Sequence, residues 1–139
     1  MVELTEIQKD PKGMPNLESA LSKDYWTSLT KRYPDVASAI RIRHCYSWIN
    51  AALRALDEDG LSNKFKVGYV QEFPHDKSLQ KNFGIWQHVW LEVPTVHGLY
   101  ISDGTAAQID PVYVDGFYGL LSECSKRLKN VYEYRNRSS

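Results

Sequence analysis

Three residues in this chain have the types and the order that thiol chemistry needs. Cys45 opens the stretch "CYSWINAALRALDEDG", His88 heads "HVWLEV", and Asp103 closes "LYISD" fifteen residues after the histidine. A thiol is an effective nucleophile only as thiolate, and a helix N-terminus and a neighbouring imidazolium both favour that form. A carboxylate on the far side of the imidazole would fix its tautomer and stabilise its charged form, as in serine and cysteine triads. The chemistry expected is acyl transfer, with Cys45 as nucleophile, His88 as general base and acid, and Asp103 as its orienter. Such chemistry consumes only water and calls for neither a metal nor an organic cofactor.

Other residues nearby have plainer readings. His44 adjoins Cys45 and would support the site or its substrate, but neighbours on a helix diverge by about 100°, so it is less suited to be the base than His88. A zinc set of Cys45, His44, His88 and Asp103 is conceivable by ligand type, yet its close pair is adjacent rather than two to four residues apart. Trp90 falls on the same strand face as His88 and would pack beneath it. Gln108 either hydrogen-bonds within the site or merely ends a loop. Trp48 reads as a core aromatic, and Cys124, inside an amphipathic stretch, reads as core.

The elements that must position the triad follow from periodicity. Ile49, Ala52, Leu53 and Leu56 recur at helical spacing, and Gly60 stands where a helix would be capped, which predicts a helix from Cys45 to about Asp59. Upstream, "NLESALSKDYWTSLTKRY" carries Leu17, Leu21, Tyr25, Leu29 and Tyr33 at similar spacing, with Asn16 as the expected cap and Pro34 as the stop. "DVASAIRIRH" reads as a short helix or an approach segment. Downstream the pattern changes: "FKVGYVQEF", "QHVWLEV" and "LYISDG" are expected strands of an antiparallel sheet, the last two joined in a hairpin turning at His97 and Gly98. "IDPVYVDGF" would add a strand, and "GLLSECSKRLKNVYEY" a closing helix with Leu120, Leu121, Cys124 and Leu128 inward. Residues 1–15 read as an irregular arm, and 74–84 as a polar loop able to overhang a site. The fold class expected is α+β, with one domain over residues 16–135 and the nucleophile helix packed on an antiparallel sheet.

These features resemble the papain-like and transglutaminase-like cysteine enzymes. "HVWLEV" followed by "DGTAAQ" is similar to the His-x-Trp and Asp-x-Thr-Ala-x-Gln signatures of the deamidase domains of dermonecrotic and mitogenic bacterial toxins, typified by the C-terminal domain of Pasteurella mitogenic toxin. The resemblance runs from Cys45 to Gln108, and type III glutamine deamidase effectors share its order. It implies a papain-like fold, a Cys45-His88-Asp103 triad and conversion of a glutamine side chain to glutamate on a target protein. The chain departs from papain in lacking a glutamine shortly before Cys45, so the backbone N–H of Cys45 and one neighbouring group are the expected oxyanion donors. A protease or transglutaminase with the same triad, or a papain-like binding module, are the competing readings.

Composition bounds the partners. The 139 residues fit one domain, and 42% hydrophobic residues suffice for its core. Lys plus Arg balances Asp plus Glu at 17 each, which gives no field to attract nucleic acid or an anionic membrane. The partner expected is the protein carrying the target glutamine, met by a monomer. No apolar run approaches the roughly eighteen residues that cross a bilayer. The N-terminus lacks a secretory pattern, and "MVELTEIQ" suits an effector carried by a dedicated secretion system into a host cell better than a cut from a longer toxin. Two cysteines are too few for a disulfide framework.

Overall fold

The computed structural model describes residues 16–70 and 87–133. The expected arm, the loop 74–84 and the C-terminal tail lie outside the described residues.

The first helix, α1, spans Lys23–Arg32, shorter than the spacing predicts. Asn16 does cap, but it caps a turn: its Oδ1 accepts the Ser19 N–H at 3.0 Å. Ser19 and Ser22 then donate their hydroxyls to nearby carbonyls, and Ser22 accepts the Tyr25 N–H at 3.2 Å, so Ser22 becomes the N-cap. Short hydroxyl side chains that bond the backbone locally compete with helix continuation and mark its start. Leu21 still reaches the core from this turn.

Pro34 both ends and begins a helix. The residue before a proline is pushed to extended backbone, and Tyr33 is extended with φ −123°. Pro34 itself occupies the first position of α2, Pro34–Arg41, where its missing N–H costs nothing. Arg43, at φ 55°, and an extended His44 turn the chain into α3, Cys45–Glu58. Asp59 and a left-handed Gly60 end α3 as expected. The acids at that end face the negative end of the helix dipole, and α1 supplies the compensation. Asp59 accepts from Tyr25 Oη at 2.5 Å and from Arg32 at 3.2 Å, while Tyr33 donates to Glu58.

The sheet has four antiparallel strands in the order β1 (Lys66–Val70), β2 (His88–Thr95), β3 (Gly98–Asp103) and β4 (Phe117–Leu120). The β2–β3 hairpin turns one residue earlier than expected: Val96 and His97 form the loop, Thr95 pairs with Gly98, and Gly98 opens β3 with φ 112°. The segment 109–116 is not a strand but a series of turns, in which Asp110 Oδ1 accepts the Val112 N–H and Val112 and Val114 point outward. β4 starts only at Phe117. The closing helix is likewise shorter: a 3-10 turn at Leu121–Glu123 precedes α4, Lys126–Glu133. Leu120 belongs to β4, Leu121 and Cys124 are half-buried, and Leu128, Val131 and Tyr132 form the inward face.

Alternation along the strands divides the core in two. Val89, Leu91, Val93 and Tyr100 pack with α1, α2 and α3 on one face, and Val70, Trp90, Ile101 and Phe117 pack with α4 on the other. The architecture is α+β, with helices on both faces of an antiparallel sheet. Among the described residues no helix is long and apolar enough to cross a membrane.

Candidate active site

The hairpin sets His88, the first residue of β2, and Asp103, the last of β3, at the same end of the sheet. His88 Nε2 and Asp103 Oδ2 lie 2.6 Å apart, and neither side chain is exposed to solvent. Asp103 collects further donors: Tyr132 Oη of α4 at 2.7 Å on Oδ2, and the N–H and hydroxyl of Thr105 at 3.1 and 3.4 Å on Oδ1. A carboxylate buried among so many donors is held in one orientation.

The ring of His88 is held from below and from its far edge. Trp90 stacks on it with centroids 5.9 Å apart, and Trp90 in turn packs against Tyr132 at 4.9 Å. Gly68 of β1 makes room for the indole, since a Cβ there would lie 2.3 Å from Trp90 Nε1. That indole N–H is satisfied by Glu92 at 3.0 Å. The 3-10 turn Ala106–Gln108 brings Gln108 back over the site, with Oε1 at 3.2 Å from His88 Nδ1. Both ring nitrogens therefore face acceptor oxygens, an arrangement that suits the doubly protonated ring. Burial opposes that charge, but the charge and hydrogen bond of Asp103, with Cys45 adding to them, outweigh it and push His88 up to about 10.

Cys45 is the first residue of α3, at the positive end of the helix dipole, and only 5% of it is exposed. Cys45 is near enough to the His88 ring to add to the effects that raise it. Nε2 is engaged by Asp103 and Nδ1 by Gln108, the looser of the two contacts. As the first helical residue, Cys45 has a backbone N–H with no acceptor inside the helix. The next turn of α3 is locked to the Asp103 turn: a Cβ on Gly104 would lie 2.0 Å from Trp48 Nε1, so only glycine lets the indole this close. Tyr46 adds a second tie, donating to Gln87 Oε1 at 2.9 Å just before His88.

His44 is exposed and stands apart from the buried group. As N-cap of α3, its Nδ1 accepts the Ser47 N–H at 3.2 Å and meets Ser47 Oγ at 2.8 Å. Of the two readings open for Gln108, hydrogen bonding within the site is the one observed. Cys124 is half-buried beside the α4-side core, with Sγ 3.2 Å from the Leu121 carbonyl, and burial pushes its thiol up to about 11. Both cysteines are free. Among the described residues no three His, Cys, Asp or Glu side chains are grouped to hold a metal ion.

Thr105, though inside the "DGTAAQ" motif, and Tyr132 are site residues that the sequence reading does not single out. Thr105 had a signal, since an aspartate two residues ahead of a backbone N–H favours an Asx turn. Tyr132 had none, because α4 reaches Asp103 only through packing on the opposite face of the sheet. The chain matches no protein-family model, no curated protein and no solved structure.

Proposed function

We propose that this protein is a papain-like cysteine hydrolase that deamidates a glutamine side chain on a target protein. The observation that carries the reading is the solvent-excluded His88–Asp103 pair at 2.6 Å, with Cys45 at the head of α3 adding to the effects that raise the imidazole. An imidazolium next to the sulfur favours the thiolate, and the helix terminus adds to that effect.

In the proposed reaction, Cys45 Sγ attacks the carboxamide carbon of the glutamine, and the developing oxyanion takes the Cys45 backbone N–H as one donor. The Nδ1 proton of His88 passes to the departing nitrogen, which leaves as ammonia. Neutral His88 then takes a proton from water, whose oxygen attacks the thioester, and collapse returns Cys45 and a glutamate side chain. Glutamine and water become glutamate and ammonia, and no cofactor is consumed. Asp103 keeps Nε2 occupied throughout, so Nδ1 is the only nitrogen that exchanges protons, and Gln108 steadies that edge of the ring at rest. The choice of a side-chain amide over a backbone amide is supported by the resemblance of "HVWLEV" and "DGTAAQ" to the toxin deamidases, as is a place for the protein as a bacterial effector acting in a host cell.

The test is ammonia release from a host-cell extract, run with the intact protein and with Cys45→Ala. Thiol-dependent ammonia without new peptide N-termini and without incorporation of an added fluorescent amine is the expected result. New N-termini would move the reaction to proteolysis, and amine incorporation to transglutamination.

A further inference from the structure

Helix α1 has a second face that the core does not use. Lys23, Thr27, Thr30 and Lys31 fall at i, i+4, i+7 and i+8, one stripe of a helix, and they line a groove of about 520 Å³ shared with α2 and β4. The floor of the groove is apolar: Ile40 contributes from α2, and Tyr118 of β4 lies stacked on Trp26 with the rings 5.7 Å apart and 8° from parallel. The rim is cationic, with Lys23, Lys31 and Arg41, against the single acid Asp115. Among the described residues Lys23 and Lys31 have no carboxylate partner, and Arg41 donates only to Ser38 Oγ at 3.2 Å. Exposed lysines this close together over an apolar floor would be neutralised best by carboxylates brought in from outside.

The groove also adjoins the site. Arg41 stands four residues ahead of Cys45, and Tyr118 pairs with Ser102, the neighbour of Asp103. We propose that this groove docks an acidic amphipathic helix of the protein whose glutamine is delivered to Cys45. The proposal rests on the deamidase reading for the identity of the docked protein, not for the docking itself. Spacing defines the ligand further: eight residues at about 1.5 Å per residue put Lys23 and Lys31 about 12 Å apart, which carboxylates two turns apart on a partner helix would match, with apolar side chains between them on Ile40 and Tyr118. A lipid surface fits less well, because the cations flank one groove containing an acid and the whole chain is electrically balanced.

The experiment is fluorescence anisotropy on the Cys45→Ala protein, which removes turnover and reads docking alone. The probe is a short synthetic amphipathic helix with a leucine stripe and glutamates two turns apart; its control replaces each glutamate by glutamine. Saturable, salt-sensitive binding of the acidic probe is expected, weakened about tenfold in a Lys23→Glu, Lys31→Glu variant and regained by a probe with lysines in place of glutamates. Equal binding of the glutamine control, unchanged binding by the charge-reversed variant, or sedimentation with phosphatidylserine vesicles in preference to the peptide would each overturn the proposal. The same charge reversals made with Cys45 intact should leave its iodoacetamide reactivity unchanged, which separates loss of docking from loss of the catalytic site.

Discussion

His88 and Asp103 meet at 2.6 Å with neither side chain exposed to solvent. In such a place the imidazole is either charged against the carboxylate or costly to keep, and the donors gathered on Asp103 from Thr105 and Tyr132 favour the charged pair.

The ring should accordingly titrate far from an ordinary histidine. With His88 pushed up to about 10, its imidazole proton signals should stay in the charged form through neutral pH, followed by NMR. Its folded value exceeds the unfolded one of about 6.5, so its stabilising contribution is complete below that pH and is lost as pH rises through about 10. Asp103→Asn removes the charge that raises the ring while leaving the burial that lowers it. The variant should carry a neutral imidazole at pH 7 and lose about 3 kcal/mol of stability. An unchanged titration in Asp103→Asn would contradict this assignment.

Tyr132→Phe isolates the contribution of α4. It deletes one donor to Asp103 without changing the packing on Trp90. Urea unfolding should show a loss of about 1.5–3 kcal/mol, the range for a bond to a charged acceptor. Ammonia release should slow as well, because the carboxylate that orients His88 is then held by Thr105 alone among its second-side donors.

Gly104→Ala tests how closely α3 is tied to the Asp103 turn. A methyl group 2.0 Å from Trp48 Nε1 forces either α3 or the Asp103 turn to move, and overpacking of this kind costs about 3 kcal/mol. The expected outcome is a lowered thermal midpoint together with a slower reaction of Cys45 with iodoacetamide at pH 6. A stable variant with full thiol reactivity would show that the two elements adjust independently.

Gln108→Glu changes the partner of Nδ1 from an amide oxygen to a carboxylate at 3.2 Å. The imidazolium gains a second anionic neighbour and becomes a weaker acid for the step that protonates the departing nitrogen. Acylation should slow more than deacylation, so ammonia release should fall with no covalent adduct building up on Cys45, which intact-protein mass spectrometry checks. Equal slowing of both steps would assign Gln108 to substrate binding instead.

How much of this could be read from the chain varies with the kind of interaction involved. The helix beginning at Cys45 and the strands bearing His88 and Asp103 were legible because Ala and Leu periodicity, Gly60 and the β-rich runs agree with one another. The start of α1 was not, because Leu17 and Leu21 keep helical spacing and stay buried or half-buried while Ser19 and Ser22 divert the backbone. Val112, Tyr113 and Val114 look like a strand by propensity, yet Asp110 and Pro111 hold them in turns and two of the three face solvent. Tyr132 was beyond the reach of local pattern, since only the tertiary position of α4 brings it to Asp103.

The most direct measurement compares host-cell lysate treated with the intact protein and with Cys45→Ala, searched by mass spectrometry for glutamines read as glutamates. A site converted only when the thiol is present is the predicted result, and it would name the target. Lysates that cannot be told apart, from a protein whose Cys45 reacts with iodoacetamide no faster than a free thiol, would contradict deamidation and the catalytic role of the Cys45, His88 and Asp103 group together.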